Sequence, residues 1–163
     1  MILYEEVLRK FQKQKVKYVL VGGVAFNLLG GYRNTLDLDI LVEMTDKNLF
    51  KLITILKKAG YHVKQPVDPI QMANKNTRED WIKNKHMKAF NFYKDERSYE
   101  EVDIIIDSPV GFEEAAKDAV IVNYNKLSLF VISPQKFIKM KKFSGRHVDL
   151  EDIKKLKLLR GKI

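Results

Sequence analysis

The stretch Tyr18–Glu43, YVLVGGVAFNLLGGYRNTLDLDILVE, decides how the rest of the chain is read. Tyr18, Val19, Leu20 and Val21 form an apolar run of strand formers that stops at Gly22-Gly23. Val24 to Leu29 then reads as a short helix closed by Gly30-Gly31. Two glycines between a strand and a helix let the backbone come close to a ligand. The first N–H groups of such a helix are unpaired, and a phosphate suits them. Thr35 to Val42 begins as a polar–apolar alternation and reads as a second strand. Residues two apart on a strand share a face. Thr35, Asp37 and Asp39 therefore lie on one side, and Leu36, Leu38 and Ile40 on the side that can enter a core. Two carboxylates at adjacent same-face positions repel each other, and burial sharpens the repulsion unless a cation sits between them. Carboxylate oxygens are the ligands Mg²⁺ prefers, with substrate phosphates completing the shell. A solvated acidic edge strand fits the same residues equally well.

A third acid lies further on. In Val102-Asp103-Ile104-Ile105-Ile106 a single aspartate interrupts a continuous apolar run, the composition of a buried strand. A lone buried carboxylate is costly unless it is paired or metal-bound. A capped or salt-bridged strand end is the alternative for Asp103. Taken with the Asp37/Asp39 pair, the metal is the favoured explanation.

Gly22-Gly23, a short helix, Arg33, Thr35, and Asp-x-Asp at 37 and 39 together resemble the DNA polymerase β-type nucleotidyltransferase superfamily. The resemblance is strongest to its small bacterial and archaeal members, the minimal nucleotidyltransferases and the AbiEii-type toxin enzymes. Those proteins carry a third strand carboxylate, matched by Asp103. They also carry a helix lysine, then Gly-Arg, then Asp-x-x-Asp, matched by Lys141, Gly145-Arg146, Asp149 and Asp152. Many superfamily members have Ser after the paired glycines; Val24 stands there instead, which implies weaker triphosphate binding or a subclass trait. Residues 65–98 match no motif of the family.

The resemblance implies an α/β (α+β) fold, a mixed central sheet flanked by helices. It implies one nucleotidyltransferase domain over residues 1–163, with a C-terminal helical portion from about residue 133. It implies transfer of an NMP from a nucleoside triphosphate to a hydroxyl acceptor, with release of pyrophosphate. The acceptor classes are tRNA or other RNA, protein, and small molecules such as aminoglycoside or lincosamide drugs. Asp37, Asp39 and Asp103 would hold two Mg²⁺ (or Mn²⁺) ions and act as the catalytic carboxylates. Gly22, Gly23, Arg33, Thr35 and Lys141 would contact the nucleotide, and Arg146 and Asp149 would buttress the site. The alternative is a nucleotidyltransferase scaffold that serves as a partner-binding half of a toxin–antitoxin pair. Three clustered acids argue against a purely non-catalytic copy.

The 163 residues carry 30 Lys and Arg against 21 Asp and Glu, a net charge of +9. A basic surface suits nucleotides and nucleic acid, and equally suits simple solubility. There is no cysteine, which excludes a disulfide framework and a thiolate metal site and fits a reducing cytoplasm, the expected location. No apolar run approaches the ~18 residues a membrane span needs. The beginning of the chain has acids inside it and does not read as a signal peptide. His62, His86 and His147 show no metal-ligand spacing.

Outside the central stretch the pattern predicts helices over 2–14, 46–58 (capped by Thr45), 112–119 and 150–159. It predicts strands over 61–64, 87–93, 101–107, 120–124 and 127–131, with a turn at 95–97 and hairpins joining the last four strands pairwise. Residues 65–85 read as a loop with a short helix started by Thr77. Trp81 there is either a stacking platform for a base or acceptor, or a core side chain. Ser133-Pro134 reads as an N-cap followed by Pro at the first helical position. On that helix, steps of ~100° from Phe137 put Lys141 near 40°, with the apolar residues, and Lys136, Lys139 and Lys142 opposite. A lysine on an apolar face either snorkels outward or meets an anion. Asp149 and Asp152 fit a helix N-terminus; capping alone accounts for Asp152, and Asp149 stays open.

Overall fold

A computed structural model describes residues 3–95 and 97–161. Its centre is a seven-stranded mixed sheet in the order β3-β4-β5-β2-β1-β7-β6. The strands are β1 (Tyr18–Val21), β2 (Asp37–Val42), β3 (His62–Val63), β4 (Ala89–Tyr93), β5 (Glu101–Ile105), β6 (Val120–Tyr124) and β7 (Leu127–Val131). The helices are α1 (Glu5–Gln14), α2 (Gly22–Leu28), α3 (Asp46–Lys58), α4 (Lys75–Lys85), α5 (Phe112–Lys117), α6 (Pro134–Ser144) and α7 (His147–Leu159). The α/β class, the mixed sheet and the two C-terminal helices are as the sequence implied. No helix among the described residues is long and apolar enough to cross a membrane.

β2 lies between β1, to which it is antiparallel, and β5, to which it is parallel. β4 and β5 form the expected antiparallel hairpin. The β6–β7 hairpin turns through Asn125 and Lys126, both with positive φ, as a two-residue hairpin loop of the primed type requires. On one face of β2, β4 and β5 the core side chains Leu38, Ile40, Phe90, Phe92, Val102 and Ile104 are fully or almost fully buried. Period-two alternation then puts Asp37, Asp39, Asn91 and Asp103 on the other face. Tyr4, just ahead of α1, fixes the register. Its hydroxyl donates to the Leu36 carbonyl and accepts from the Glu101 backbone N–H at 3.0 Å. The starts of β2 and β5 are thereby tied together.

Several local expectations need correction. α1 begins at Glu5, and residue 2 lies outside the described residues, as does residue 96 in the 95–97 turn. Residues 65–85 contain a 3₁₀ turn, Pro69–Ala73, and then α4, capped by Asn74 rather than Thr77. The Asn74 side chain accepts from the Thr77 N–H at 3.0 Å. Trp81 belongs to the core: it is 4% exposed and packs its ring 5.8 Å from Phe90. Ser133 occupies the N-cap of α6, but its hydroxyl is buried and makes no hydrogen bond among the described residues. α7 starts at His147, one turn earlier than expected, and this moves Asp152 off the cap altogether.

Candidate active site

The end of β1, the start of β2 and the later part of β5 line a cleft of about 320 Å³. Gly22, Gly23, Arg33, Thr35, Asp37, Asp39, Asp103 and Lys141 all line it, so every residue singled out for the site is brought to one place. Arg146 and Asp149 line it too.

The acidic wall follows from strand register. Asp103 of β5 is paired directly with Asp39 of β2, and Asn91 of β4 is paired with Asp103. One row across three strands therefore reads Asn91, Asp103, Asp39. Asp37 sits at the head of β2, opposite Glu101. Burial, then the charges of Asp103 and Asp37, push the Asp39 carboxyl up to about 7. Burial likewise pushes Asp103 up to about 6, against a hydrogen bond from Asn91. Asp37 is raised as well, by burial and the charge of Glu101. Such a cluster strains against its own charge and is relieved by a cation.

The glycines act differently from the simple phosphate-binding turn. Gly22 has φ +68°, and a Cβ there would stand 2.0 Å from Asp39 Oδ2. A Cβ on Gly23 would stand 2.6 Å from Thr35 Oγ1. The pair makes room for two side chains, Asp39 of β2 and Thr35 of the loop that leads into it. Gly22→Ala is expected to destabilise the fold by more than the ~1–2 kcal/mol that left-handed backbone alone costs a non-glycine residue, and so to lower the melting temperature. Thermal denaturation checks this, and an unchanged midpoint would contradict it.

The basic wall comes from the α2–β2 loop and from α6 and α7. Lys141, 7% exposed, lies with its Nζ 5.4 Å from the Phe137 ring centroid. Its ammonium donates to Asp149 Oδ1 at 2.9 Å and stands 3.3 Å from Asp152 Oδ2. Asp149 and Asp152 are three apart on α7 and share a face. Arg33 donates to Asp152 at 2.7 Å, and Arg146 donates to Asp149 at 2.9 Å. Burial raises the Asp149 carboxyl, but hydrogen bonds from Arg146, Ser144 and Lys141 outweigh it and hold Asp149 well below the usual carboxylate range. Asp149 also accepts from the Arg146 backbone N–H at 3.3 Å, which caps α7 from inside. Three cations against two carboxylates leave the wall net positive. Arg33 is held at its backbone too. Its N–H donates to Asn27 Oδ1 at 2.8 Å, and Asn27 Nδ2 donates back to its carbonyl at 2.9 Å.

Sequence reasoning missed Asn27, Asn91 and the role of Asp152. Asn91 had one signal: it is the only polar residue between Phe90 and Phe92 in a strand, on the same face as a neighbouring acid.

The donor set fits a divalent cation of the Mg²⁺ type. All three side chains on the acidic wall offer hard oxygen ligands, and two of them, Asp39 and Asp103, are half-buried side by side, with the charge of Asp103 raising Asp39. Among the described residues no group of three or more His, Cys, Asp or Glu side chains is gathered closely enough to hold a metal ion by itself. An open set of carboxylates, finished by substrate oxygens, is the usual way Mg²⁺ is held.

The fold has known counterparts. A lincosamide antibiotic adenylyltransferase, LnuA, solved with lincomycin bound, superposes with TM-score 0.59 at 22% identity, covering 94% of this chain and 93% of that one. ANT(2")-Ia in complex with adenylyl-2"-tobramycin gives 0.59 at 15% identity, covering 98% and 88%. An antigenic nucleotidyltransferase-like protein from Paracoccidioides brasiliensis gives 0.58 at 16%, covering 96% and 74%. At these identities the likeness carries the fold. Comparison with curated proteins finds no match. Residues 1–161 match the family described as nucleotidyltransferase of unknown function, DUF6036. With the family match spanning nearly the whole chain and the mixed sheet shared with nucleotidyltransferases of known structure, the chain belongs to this nucleotidyltransferase family.

Proposed function

We propose that the protein is a metal-dependent nucleotidyltransferase that moves an NMP from a nucleoside triphosphate to a hydroxyl acceptor and releases pyrophosphate. The observation that carries this is the gathering of two charge sets on one 320 Å³ cleft: Asp37, Asp39 and Asp103 from the sheet, and Arg33, Lys141 and Arg146 from the α2–β2 loop and the C-terminal helices. A triphosphate needs cations on one side, and a divalent ion needs carboxylates on the other. In this reading the chain is a single nucleotidyltransferase domain whose C-terminal helices supply the phosphate-binding lysine.

Two divalent cations, Mg²⁺ or Mn²⁺, held by Asp37, Asp39 and Asp103, would supply Lewis-acid activation of the acceptor and charge neutralisation on the triphosphate. Gly22, Gly23 and Thr35 set the floor on which the phosphates lie. Lys141 donates to Asp149 and stands beside Asp152, which leaves donor capacity on its ammonium for a phosphate oxygen. The acceptor oxygen attacks the α-phosphorus, and the bond from that phosphorus to the bridging oxygen breaks. Pyrophosphate carries off the negative charge, and Asp103 accepts the acceptor's proton.

The likeness to folds that adenylylate antibiotics supports a small hydroxyl-bearing acceptor. The test is incubation with each of the four triphosphates and Mg²⁺ or Mn²⁺, alongside an aminoglycoside, a lincosamide, total RNA and a cell lysate. Mass spectrometry should show one acceptor gaining the mass of one NMP. RNA or a protein gaining it instead would keep the transfer and replace the acceptor class. No gain with any nucleotide would overturn the proposal and favour a partner-binding role in a toxin–antitoxin pair.

A further inference from the structure

We infer that Gln65 and Asn91 are positioning residues for Asp103, joined to it in a hydrogen-bond relay that leaves one carboxylate oxygen for a divalent cation. The inference rests on the metal-dependent reading above.

The polarity of the relay is forced from its far end. The backbone N–H of Asn91 donates to Gln65 Oε1 at 3.0 Å. A backbone N–H has no acceptor capacity, so the Gln65 amide must present oxygen there. Its nitrogen is then committed to the other side, where it donates to Asn91 Oδ1 at 2.6 Å and approaches the Ala89 carbonyl at 3.4 Å. With its oxygen taken, the Asn91 amide must turn its NH₂ toward β5, where it donates to Asp103 Oδ1 at 2.5 Å. Flipping either amide sets donor against donor or oxygen against oxygen at two contacts. The relay therefore has one low-energy arrangement, and it delivers a donor to one named oxygen of Asp103.

That matters because Asp103 has few other constraints. No other hydrogen bond to its carboxylate is found among the described residues. Register places it beside Asp39, whose charge repels it. Without Asn91 the carboxylate would be free to rotate away from that neighbour. With Asn91 it is held in the row, with Oδ2 left for a cation or for the acceptor's proton. Partners behind a metal ligand characteristically do this: they orient the ligand, and their loss costs ~10–100-fold in metal affinity or activity. Gln65 comes from the segment that matched no motif, so the relay also gives that segment a place in the site.

Mn²⁺ binding, followed by electron paramagnetic resonance, tests the inference without requiring turnover. The proteins are wild type, Asn91→Leu, Gln65→Ala, Asp103→Ala and the double variant Asp103→Ala/Asn91→Leu, each with its melting temperature. Asn91→Leu should weaken Mn²⁺ binding by about tenfold or more. Gln65→Ala, at a half-exposed site, should act in the same direction and less. Where transfer is measured, Asn91→Leu should lower kcat and leave the KM for the triphosphate nearly unchanged. In the Asp103→Ala background, Asn91→Leu should have no further effect on Mn²⁺. Unchanged Mn²⁺ binding in Asn91→Leu would overturn the relay alone, as would an equal loss in the Asp103→Ala background. Should Asn91→Leu fail to fold, Gln65→Ala decides by the same criteria. Wild type that neither binds Mn²⁺ nor transfers a nucleotide would sink the metal-dependent reading and the relay with it.

Discussion

Asp39→Asn should raise the melting temperature of the metal-free protein at pH 8 while removing nucleotidyl transfer. The two effects have one cause. The Asp39 carboxyl is pushed up to about 7 by burial and by the charges of Asp103 and Asp37, so its ionised form destabilises the fold. Between about pH 4, where an unfolded aspartate titrates, and about pH 7, the folded protein binds more protons than the unfolded chain. Metal-free stability therefore falls as pH rises through that window and is flat above it. Asp103, raised to about 6, contributes with the same sign over a narrower range. An asparagine does not titrate, so the variant should gain on wild type from pH 4 upward, by a few kcal/mol at pH 8. Added Mg²⁺ should narrow the gap, because wild type gains a ligand that the variant binds poorly. Thermal melts across pH with and without the ion check this. A variant that melts lower than wild type at pH 8 without metal would show that Asp39 is a structural anchor.

Lys141→Met should act in the opposite sense, lowering stability and nucleotide binding together. Removing one partner of a buried ion pair strands the other, at ~3–5 kcal/mol. Arg33 and Arg146 stay beside Asp152 and Asp149, which puts the expected loss at the lower end, about 3 kcal/mol. For a chain of this size that is a fall in melting temperature of roughly 10 °C. The lost charge-assisted contact to a phosphate should raise the KM for the triphosphate about tenfold to a hundredfold. The contrast with Asp39→Asn is diagnostic: one wall destabilises the empty protein, and the other holds it together. An Lys141→Met protein with wild-type melting and wild-type KM would remove the lysine from the account.

Much of the site was legible because it is local or has a fixed period. Alternation placed Asp37 and Asp39 on one strand face, and a lone acid in an apolar run marked Asp103. The helical wheel turned Lys141 toward the apolar side, where the structure finds it buried against Phe137 and two carboxylates. What escaped depends on neighbours far away in sequence. Asn91 is an unremarkable strand residue until register sets it beside Asp103. Gln65 lies just past β3, at the start of an irregular stretch with Pro66 and Pro69, and only the β3–β4 pairing brings it to Asn91. Asp152 was misjudged because the helix start was placed at Leu150. The true N-cap, Arg146, is not a capping residue type; Asp149 caps the helix from the third position instead. That earlier start leaves Asp152 in the second turn, facing inward to Arg33 and Lys141. Trp81 followed its size into the core.

The most direct test of the two-wall cleft is pyrophosphate release with labelled triphosphates and the acceptor pool described above. Wild type with Mg²⁺, wild type with EDTA, and an Asp37→Ala/Asp39→Ala double variant would run side by side. Release coupled to acceptor labelling in the first reaction, and a loss of at least about a thousandfold in the other two, is the expected result; that loss corresponds to about 4 kcal/mol of barrier. Transfer that survives EDTA, or that survives loss of both aspartates, would contradict the account.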